Sequence, residues 1–241
     1  LQQIEGGEES LVALRREVEA AATVAWAQAQ DLSRLRRSAA RTLETQMAKE
    51  LSSLGMKGAT FNVRFAEQES ASVEEPADSP FFSNGRRLRS TGCDRAEFYL
   101  SANLGEPLLP LAQVASGGEL SRLMLALKAL SAAVGEAPTL IFDEVDAGIG
   151  GAVAEVVGRR LKALAQQRQV VCITHLPQIA AFADHAYTVA KRPVKGRTVS
   201  SAKRLTQSEQ LQELARMLGG VEISVEAKRH AREMLEMARK G

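Results

Sequence analysis

Aromatic residues and cysteines are scarce in this chain of 241 residues. Aromatic side chains make up 4% of the sequence, while hydrophobic residues, with many alanines and leucines, make up 45%. This composition favours a helix-rich chain with one sizeable core or two small ones. The two cysteines, Cys93 and Cys172, are far apart, and Cys172 lies in an apolar run. We therefore expect a buried thiol at Cys172 and no disulfide, which suits a reducing compartment.

Long hydrophobic runs and a strong excess of charge are also missing. No run of about 18 apolar residues and no signal peptide is visible, so we expect a cytoplasmic protein without a membrane partner. The net charge is +2, from 31 basic and 29 acidic residues, so any contact with nucleic acid has to be local. Because the chain starts with Leu1 and no initiator methionine, we expect a piece of a longer protein.

The chain has no Gly-x-x-x-x-Gly-Lys-Ser/Thr motif, the loop that holds the β- and γ-phosphates of a nucleotide. Any nucleotide chemistry carried by this sequence therefore has to come from other motifs.

A heptad-like pattern runs through residues 8–54. It predicts a long helix with an apolar seam, ended by Gly55 and Gly58. The helix either packs along its own domain or, as we favour, forms the descending arm of an antiparallel coiled coil whose other arm lies outside this chain. Residues 1–54 are accordingly predicted to be a coiled-coil segment. The seam positions, with a shift in phase after Ala39, are Leu11, Leu14, Val18, Ala21, Ala25, Gln28, Leu32, Leu35, Ala39, Leu43, Met47, Leu51 and Leu54.

Residues 55–241 are predicted to form an α/β domain with two sections. Within residues 55–110, alternating patterns at 59–66 and 96–102 predict antiparallel strands, with an acidic loop at 67–80 and a basic turn at 84–92. Across residues 111–241, helices alternate with short apolar strands, which is typical of a parallel sheet. The predicted helices are 117–134, 150–167, 177–183, 207–218 and 224–240, and the predicted strands are 138–143 and 169–174, with possible edge strands at 186–191 and 197–204.

The segment Ser116-Gly117-Gly118-Glu119 precedes an apolar helical run. A capping box explains Ser116 and Glu119, but not the two glycines, which weaken a helix by up to about 1 kcal/mol each. Glycines at a helix start let a phosphate or another backbone approach closely, and the free N–H groups there favour an anion. We therefore interpret the segment as functional.

Two adjacent carboxylates, Asp143 and Glu144, follow the apolar strand that begins at Thr139. In a parallel sheet, ligands lie beyond the carboxyl ends of the strands, and burying both charges would be costly without a reason. A Mg²⁺ ion and a nucleophilic water would explain the pair. Asp143 would hold the Mg²⁺ shell, and Glu144 would polarise the water that attacks a γ-phosphate. The alternative, a solvated turn, fits poorly after so apolar a strand.

Asp146 begins a glycine-containing turn, and His175 ends the second apolar strand. His175 lies 32 positions after Asp143, about one strand–helix–strand unit, so we expect it in a neighbouring strand and near the γ-phosphate. A histidine at a strand end is more often structural, but this setting favours function. His185 and His230 have no such setting and are expected at the surface.

Together these motifs resemble the ABC-type ATPase heads of the structural-maintenance-of-chromosomes superfamily, and in particular the RecN family of bacterial double-strand-break repair proteins. Residues 115–128, 142–151 and 172–180 carry the resemblance, together with the stretch from Glu97 to Pro107. The long helix resembles the family's coiled-coil arm. The resemblance implies the C-terminal lobe of such a head, an α/β structure with an antiparallel β section.

The resemblance also implies an ATPase that uses ATP and Mg²⁺. The signature residues Ser116, Gly117, Gly118 and Glu119 would meet ATP bound on a second subunit. Asp143, Glu144 and His175 would act on ATP of their own subunit, and Asp146, in the D-loop, would couple the two sites. ATP would join two heads into a homodimer that tethers DNA ends at the nucleoid. Because the lobe with the phosphate-binding loop is not in this chain, we expect the chain alone to be inactive.

Two other functions stay open. One is the nucleotide-binding domain of an ABC transporter, which the heptad arm disfavours, and the other is a structural clamp that binds ATP without needing to hydrolyse it. Basic residues in two loops could contact DNA or could simply be solvated, and the absence of interleaved aromatic residues predicts no sequence preference. These residues are Arg86, Arg87, Arg89, Lys191, Arg192, Lys195 and Arg197.

Overall fold

The computed structural model describes residues 2–66, 79–83, 85–114, 116–131, 138–194, 197–220 and 223–240. Most of the predicted acidic loop and Lys195 lie outside these residues. The chain divides into two compact units. The first comprises Leu1–Gln46, Thr60–Ser101 and Glu106–Gln113, and the second comprises Met47–Ala59, Ala102–Gly105 and Val114–Gly241. The predicted boundary between residues 54 and 55 stays a prediction.

A single helix, α1 (Gln2–Ser53), forms the N-terminal part of the chain. The long helix predicted for residues 8–54 is therefore confirmed. It ends as the glycines predict, because the N–H of Met56 donates to the carbonyl of Leu51 at 2.9 Å and Gly55 takes a left-handed φ of 82°.

The first unit contains a three-stranded antiparallel sheet in the order β1-β4-β5 and a small hairpin, β2–β3. The sheet confirms the antiparallel section, with Phe61 opposite Leu100. The alternation did not reveal β5, because a two-residue strand is too short to show a period. The bounds are β1 (Thr60–Phe65), β2 (Phe82–Ser83), β3 (Arg86–Arg87), β4 (Ala96–Ser101) and β5 (Leu109–Pro110), followed by a 3₁₀ turn (Leu111–Gln113).

In the first unit, α1 does not pack through its predicted seam. The side chain of Ser33 donates to Asp94 Oδ1 at 2.7 Å, and the indole of Trp26 donates to the carbonyl of Pro80 at 2.9 Å. The buried stripe consists of Ala22, Ala29, Ser33 and Ala40. The part of the predicted seam that belongs to this unit is largely open instead, with 36–65% exposure at Leu11, Leu14, Val18, Leu32 and Leu35. The last seam positions, Met47, Leu51 and Leu54, have no exposed surface and belong to the second unit. Within the first unit the helix thus carries two stripes: a buried stripe of small residues, and a stripe of leucines and a valine that is largely exposed.

The second unit is the α/β part of the chain. Its parallel pair, β6–β7, aligns Phe142 with Cys172, which confirms the predicted parallel arrangement. Residues with no exposed surface, among them Met47, Leu51, Leu123 and Val157, form its core. The bounds are α2 (Gly117–Leu130), β6 (Thr139–Phe142), α3 (Gly151–Ala165), β7 (Gln169–Cys172), α4 (Pro177–Ala180), β8 (Tyr187–Val194), β9 (Arg197–Arg204), α5 (Gln207–Gly219) and α6 (Val225–Lys240).

The two strands considered as edge strands, β8 and β9, pair with each other in the described part of the chain. They form an antiparallel hairpin in which Tyr187 lies opposite Arg204 and Val194 opposite Arg197. A short connection permits this antiparallel pairing, whereas a parallel neighbour needs a crossover connection of a dozen or more residues.

Helices α5 and α6 close the second unit. The hydroxyl of Thr206 and the carboxylate of Glu209 form a reciprocal capping box at the start of α5. Ala181, Leu214 and Met234 belong to the buried cluster between these helices and α4. None of the helices in the described part of the chain combines the length and the apolar character that crossing a membrane requires.

Candidate functional site

The start of α2 is built as the sequence predicts. Ser116 is the N-cap residue, with an extended φ of −86°, and its hydroxyl accepts from the N–H of Glu119 at 3.4 Å. Gly117 is exposed and Gly118 is buried. The helix therefore begins with a capping serine and two residues without side chains.

The two glycines allow the turn after β6 to approach α2. A Cβ added to Gly118 would lie 2.8 Å from the Cβ of Ala147 and 3.1 Å from the carbonyl oxygen of Glu144. A Cβ on Gly117 would collide with the carboxylate of Glu144. The close approach expected of these glycines is thus present within the chain itself, and a carboxylate oxygen lies against the helix start.

Asp143 and Glu144 directly follow β6, and both are exposed. The cost of burying two charges, expected from the apolar strand before them, therefore does not arise in this structure. Glu144 has a φ of 57°, a left-handed backbone that a residue with a side chain rarely adopts. Such a conformation costs about 1–3 kcal/mol and often occurs at functional sites.

Asp146 is the buried carboxylate of the site, with 4% of its surface exposed. Its Oδ2 accepts from the hydroxyl of Thr174 at 2.5 Å and from the N–H of His175 at 2.8 Å. Desolvation by burial is the largest influence on its pKa and raises it. These hydrogen bonds together with the charge of His175 outweigh desolvation, so the pKa of Asp146 lies below its ordinary value. The carboxylate is therefore ionised at neutral pH.

His175 follows β7, three residues after its last residue, Cys172, and Asp143 follows the paired strand β6. The strand predicted for residues 169–174 is thus shorter than expected, but the two residues follow neighbouring strands, as predicted. Its Nδ1 is 3.0 Å from Oδ2 of Asp146, and its side chain is 73% exposed. The ring is thus held at one nitrogen by a buried carboxylate, while the rest of it is open to a ligand. His185 and His230 are exposed, as expected.

Cys172 is half-buried, and Cys93 is buried. Burial, together with the charges of Asp146 and Asp143, raises the pKa of the Cys172 thiol to about 12. The thiol therefore stays protonated and is a poor nucleophile at neutral pH. The sequence predicted a buried thiol at Cys172, and the structure makes it half-buried.

Two polar residues of α2 were missed by the sequence analysis. The hydroxyl of Ser121 donates to the carbonyl oxygen of Asp143 at 2.6 Å, and the guanidinium of Arg122 donates to that of Ala147 at 2.7 Å. Arg122 is 7% exposed. The only available signal was a serine and an arginine within an otherwise apolar helical run.

The basic residues considered for DNA contact fall into two groups. Arg86 and Arg87 are half-buried in β3, and Arg89 follows them in the first unit. Lys191, Arg192 and Arg197 are exposed on the β8–β9 hairpin of the second unit, and Lys195 lies outside the described residues.

Candidate metal ligands are not clustered in the part of the chain that the structure describes. Among the described residues, no group of three or more His, Cys, Asp and Glu side chains is placed to bind a metal ion. A Mg²⁺ site at Asp143 would take further ligands from oxygen atoms such as those of water and phosphate. Octahedral Mg²⁺ commonly combines one or two carboxylates with water and phosphate oxygens, so the residues present are compatible with it.

Comparison with known proteins identifies close relatives. The DNA repair protein RecN of Bacillus subtilis is 38% identical over 240 residues, covering 99% of this chain and 41% of the relative. The RecN of Mycobacterium tuberculosis strain H37Rv is 41% identical over 241 residues, with coverage of 99% and 41%. The chain therefore spans about two fifths of the length of these relatives. No family model matches the chain.

A crystal structure of the Smc head domain with a coiled coil and joint from Pyrococcus yayanosii aligns with a TM-score of 0.45. Its identity is 19%, and the alignment covers 88% of this chain and 34% of that one. Similarity at this level does not by itself establish a shared fold. The sequence similarity does decide the family: across nearly all of its length, the chain belongs to the RecN family.

Proposed function

We propose that this chain is the C-terminal lobe of the ATPase head, with part of the coiled-coil arm, of a RecN-type protein in recombinational repair of DNA double-strand breaks. One observation supports this most directly. A short turn at residues 144–147 directly follows Asp143 and contains Glu144. The capped start of α2 and the His175 ring both contact this turn. Elements that the sequence separates by up to 59 positions are thereby combined at one end of the parallel pair.

The residues around this turn fit the chemistry of ATP hydrolysis. A carboxylate oxygen of Glu144 lies against Gly117, so the start of α2 can receive an oxyanion, as the free N–H groups of a helix start favour. ATP with Mg²⁺ would supply the phosphate chain and the charge neutralisation. Asp143 would hold the metal shell, Glu144 would accept a proton from the attacking water, and His175, oriented by Asp146, would donate to a phosphate oxygen.

In this proposal, the signature segment Ser116–Glu119 of one head contacts ATP bound on its partner, which makes an ATP-bridged homodimer. Glu144 and His175 act on ATP held by their own head. Asp146 lies in the turn between the signature segment and the residues that act on the chain's own ATP, and it couples them. Because the chain has no phosphate-binding loop of its own, we expect it to hydrolyse no ATP in isolation.

We assign the phosphate-binding loop to an N-terminal lobe that would cover one face of β6–β7. Parallel sheets are almost always covered on both faces. In this pair, however, Ile141 is 70%, Val171 42% and Ile173 58% exposed, all on one face. An apolar sheet face of this kind fits a second layer of protein, and the rest of the RecN chain is the occupant that we propose.

The open seam of α1 supports an arm-to-arm coiled coil. Its exposed leucines and valine recur in steps of three and four, which is the spacing of a helix that packs on another helix. A transporter nucleotide-binding domain has no evident use for such a seam. The seam therefore favours a repair ATPase over the transporter alternative.

The decisive test is ATP hydrolysis by the full-length protein carrying Glu144→Gln. We expect hydrolysis to fall by about 100-fold or more, since general-base assistance is worth about 10²–10⁴ in rate. ATP-bound dimers should accumulate in light scattering. Glu155→Gln, an exposed carboxylate on α3 that pairs with Arg159, is the matched control. Unchanged turnover in the Glu144 variant would refute its role, and an inactive wild-type protein that still dimerises on ATP would favour the structural clamp.

DNA binding is assigned to the two basic groups, without sequence preference. If they contact phosphates, charge reversal at Lys191, Arg192 and Arg197 should weaken binding to duplexes of any sequence. It should also reduce the slope of log affinity against log salt by about 0.9 for each phosphate that the variant no longer neutralises. Reversal at Arg86, Arg87 and Arg89 tests the other group in the same assay. A group whose reversal leaves both affinity and salt slope unchanged does not touch DNA.

A further inference from the structure

The start of α2 is fastened to the turn after β6 at three points. Ser121 donates to the carbonyl of Asp143, and Arg122 donates to the carbonyl of Ala147. Between these two bonds, the backbone of Gly118 packs directly against the same turn. The residues at both ends of the turn are thus bonded to consecutive side chains of one helix.

An arginine is an unusual residue at the buried contact between α2 and this turn. Arg122 is buried, and its Nε has no hydrogen-bond partner in the described part of the chain. Desolvation by burial lowers the pKa of the guanidinium, while the nearby charge of Glu119 opposes that effect. A buried donor without an acceptor is unfavourable, and an apolar side chain of similar volume would often be at least as stabilising. Packing alone therefore does not account for an arginine.

What Arg122 does provide is a charged hydrogen bond to a main-chain carbonyl of the turn. Because that bond ends on backbone, it fixes the path of the turn and leaves the turn's side chains free. The turn includes Glu144, whose left-handed φ of 57° makes its side-chain direction dependent on the path of the following residues. The turn also contains Asp146, which holds His175.

We infer that Arg122 is a positioning residue that, with Ser121, locks the 143–147 turn onto the signature helix, so that the signature segment and the hydrolytic carboxylate of one chain move as a unit. This inference rests on the proposed ATPase function for its kinetic consequence. Contact of the partner's ATP with the start of α2 would then be transmitted within the chain to Glu144. No rearrangement of the core would be needed, because the connection is a pair of backbone carbonyls.

The test compares Arg122→Met, Arg122→Lys and Ser121→Ala in the full-length protein. We expect Arg122→Met to lower kcat by about 10–100-fold, the scale associated with misplacement by about 1 Å, while the Kd for ATP changes less than about twofold. Arg122→Lys, which keeps one donor, should recover part of the loss. Lys128→Met, on the same helix but in its last turn, is the matched control and should leave both quantities unchanged.

Hydrogen exchange of the amides in residues 144–149 gives a second readout that does not depend on hydrolysis. Exchange there should accelerate in Arg122→Met, with Tm and exchange in the remaining protein as in the wild type. A variant with normal kcat and unchanged exchange in this turn overturns the inference. A variant in which Tm and kcat fall while the Kd for ATP rises, without rescue by lysine, also overturns it, since Arg122 would then be structural. If the wild-type protein lacks ATPase activity, the proposed function fails, and the exchange result still decides whether Arg122 holds the turn.

Discussion

At the scale of single residues, one oxygen atom organises much of the site. Oδ2 of Asp146 accepts from Thr174, from the main chain of His175, and lies within 3.0 Å of the His175 ring. These groups connect the end of β7 to the turn after β6. The sequence indicated that Asp146 lies in a turn but contained no sign of this connection, because Thr174 and Asp146 are 28 positions apart.

The lowered pKa of Asp146 predicts a pH-dependent contribution to stability. A carboxylate whose folded pKa lies below its ordinary value of 3.8 stabilises the fold above that value, and the contribution disappears as the pH falls through the folded pKa. We expect Asp146→Asn to lower the free energy of unfolding at neutral pH by about 1–3 kcal/mol. The gap from the wild type should start to narrow below about pH 4 and should close only as the pH falls through the folded pKa. Urea unfolding of this chain between pH 7 and pH 3 measures it, and a gap that stays constant over this range would contradict the assignment.

Gly118 gives a second residue-scale prediction. Because an added Cβ would contact both Ala147 and the carbonyl of Glu144, Gly118→Ala should displace the turn or the helix start and cost about 1–3 kcal/mol, as overpacking typically does. Gly118 lies in α2 and has no left-handed φ, so alanine would otherwise favour the helix by up to about 1 kcal/mol. Thermal unfolding of the variant measures the net effect. A Gly118→Ala variant at least as stable as the wild type would show that the turn does not crowd this position.

At the scale of elements, patterns with a clear period were predictable and pairings were not. The heptad pattern located α1 to within a few residues, and apolar runs located β6 and β7. The helix, however, has a second stripe of alanines and Ser33 that packs on its own unit. Small residues give a weak hydrophobic signal, so the leucine seam was visible in the sequence and the packed stripe was not. In the same way, β8 and β9 were found, but periodicity does not reveal which strand pairs with which.

The open seam and the buried end of α1 should respond differently to substitution. Leu35→Gln, on the open seam with 65% exposure, should change the stability of this chain by less than about 0.5 kcal/mol. Met47→Ala, at a position with no exposed surface, should cost about 2–5 kcal/mol. Urea unfolding of both variants measures the two changes in the free energy of unfolding. A large loss in Leu35→Gln would mean that the seam is already occupied within this chain.

At the scale of the whole molecule, the exposed face of β6–β7 should control how the separately produced chain behaves. Ile141 and Ile173 contribute most of its exposed apolar surface, and large exposed apolar surfaces promote association. We expect Ile141→Thr combined with Ile173→Thr to reduce binding of a hydrophobic dye and self-association in sedimentation. Val189→Thr, on the exposed β8–β9 hairpin at 68% exposure, is the control. In the full-length protein the same double substitution should lower stability, because there the face is proposed to be covered.

The parallel pairing of β6 and β7 also has a consequence for the order of folding. The β8–β9 hairpin joins neighbouring stretches of chain, and hairpins form in about 1–10 μs. The β6–β7 pair brings together residues 30 positions apart, such as Thr139 and Gln169, and such non-local contacts form more slowly. We therefore expect the strands that precede Asp143 and His175 to be secured late, after the hairpin and the helices. During biosynthesis, this end of the parallel pair would then be the part that stays longest within reach of chaperones and proteases.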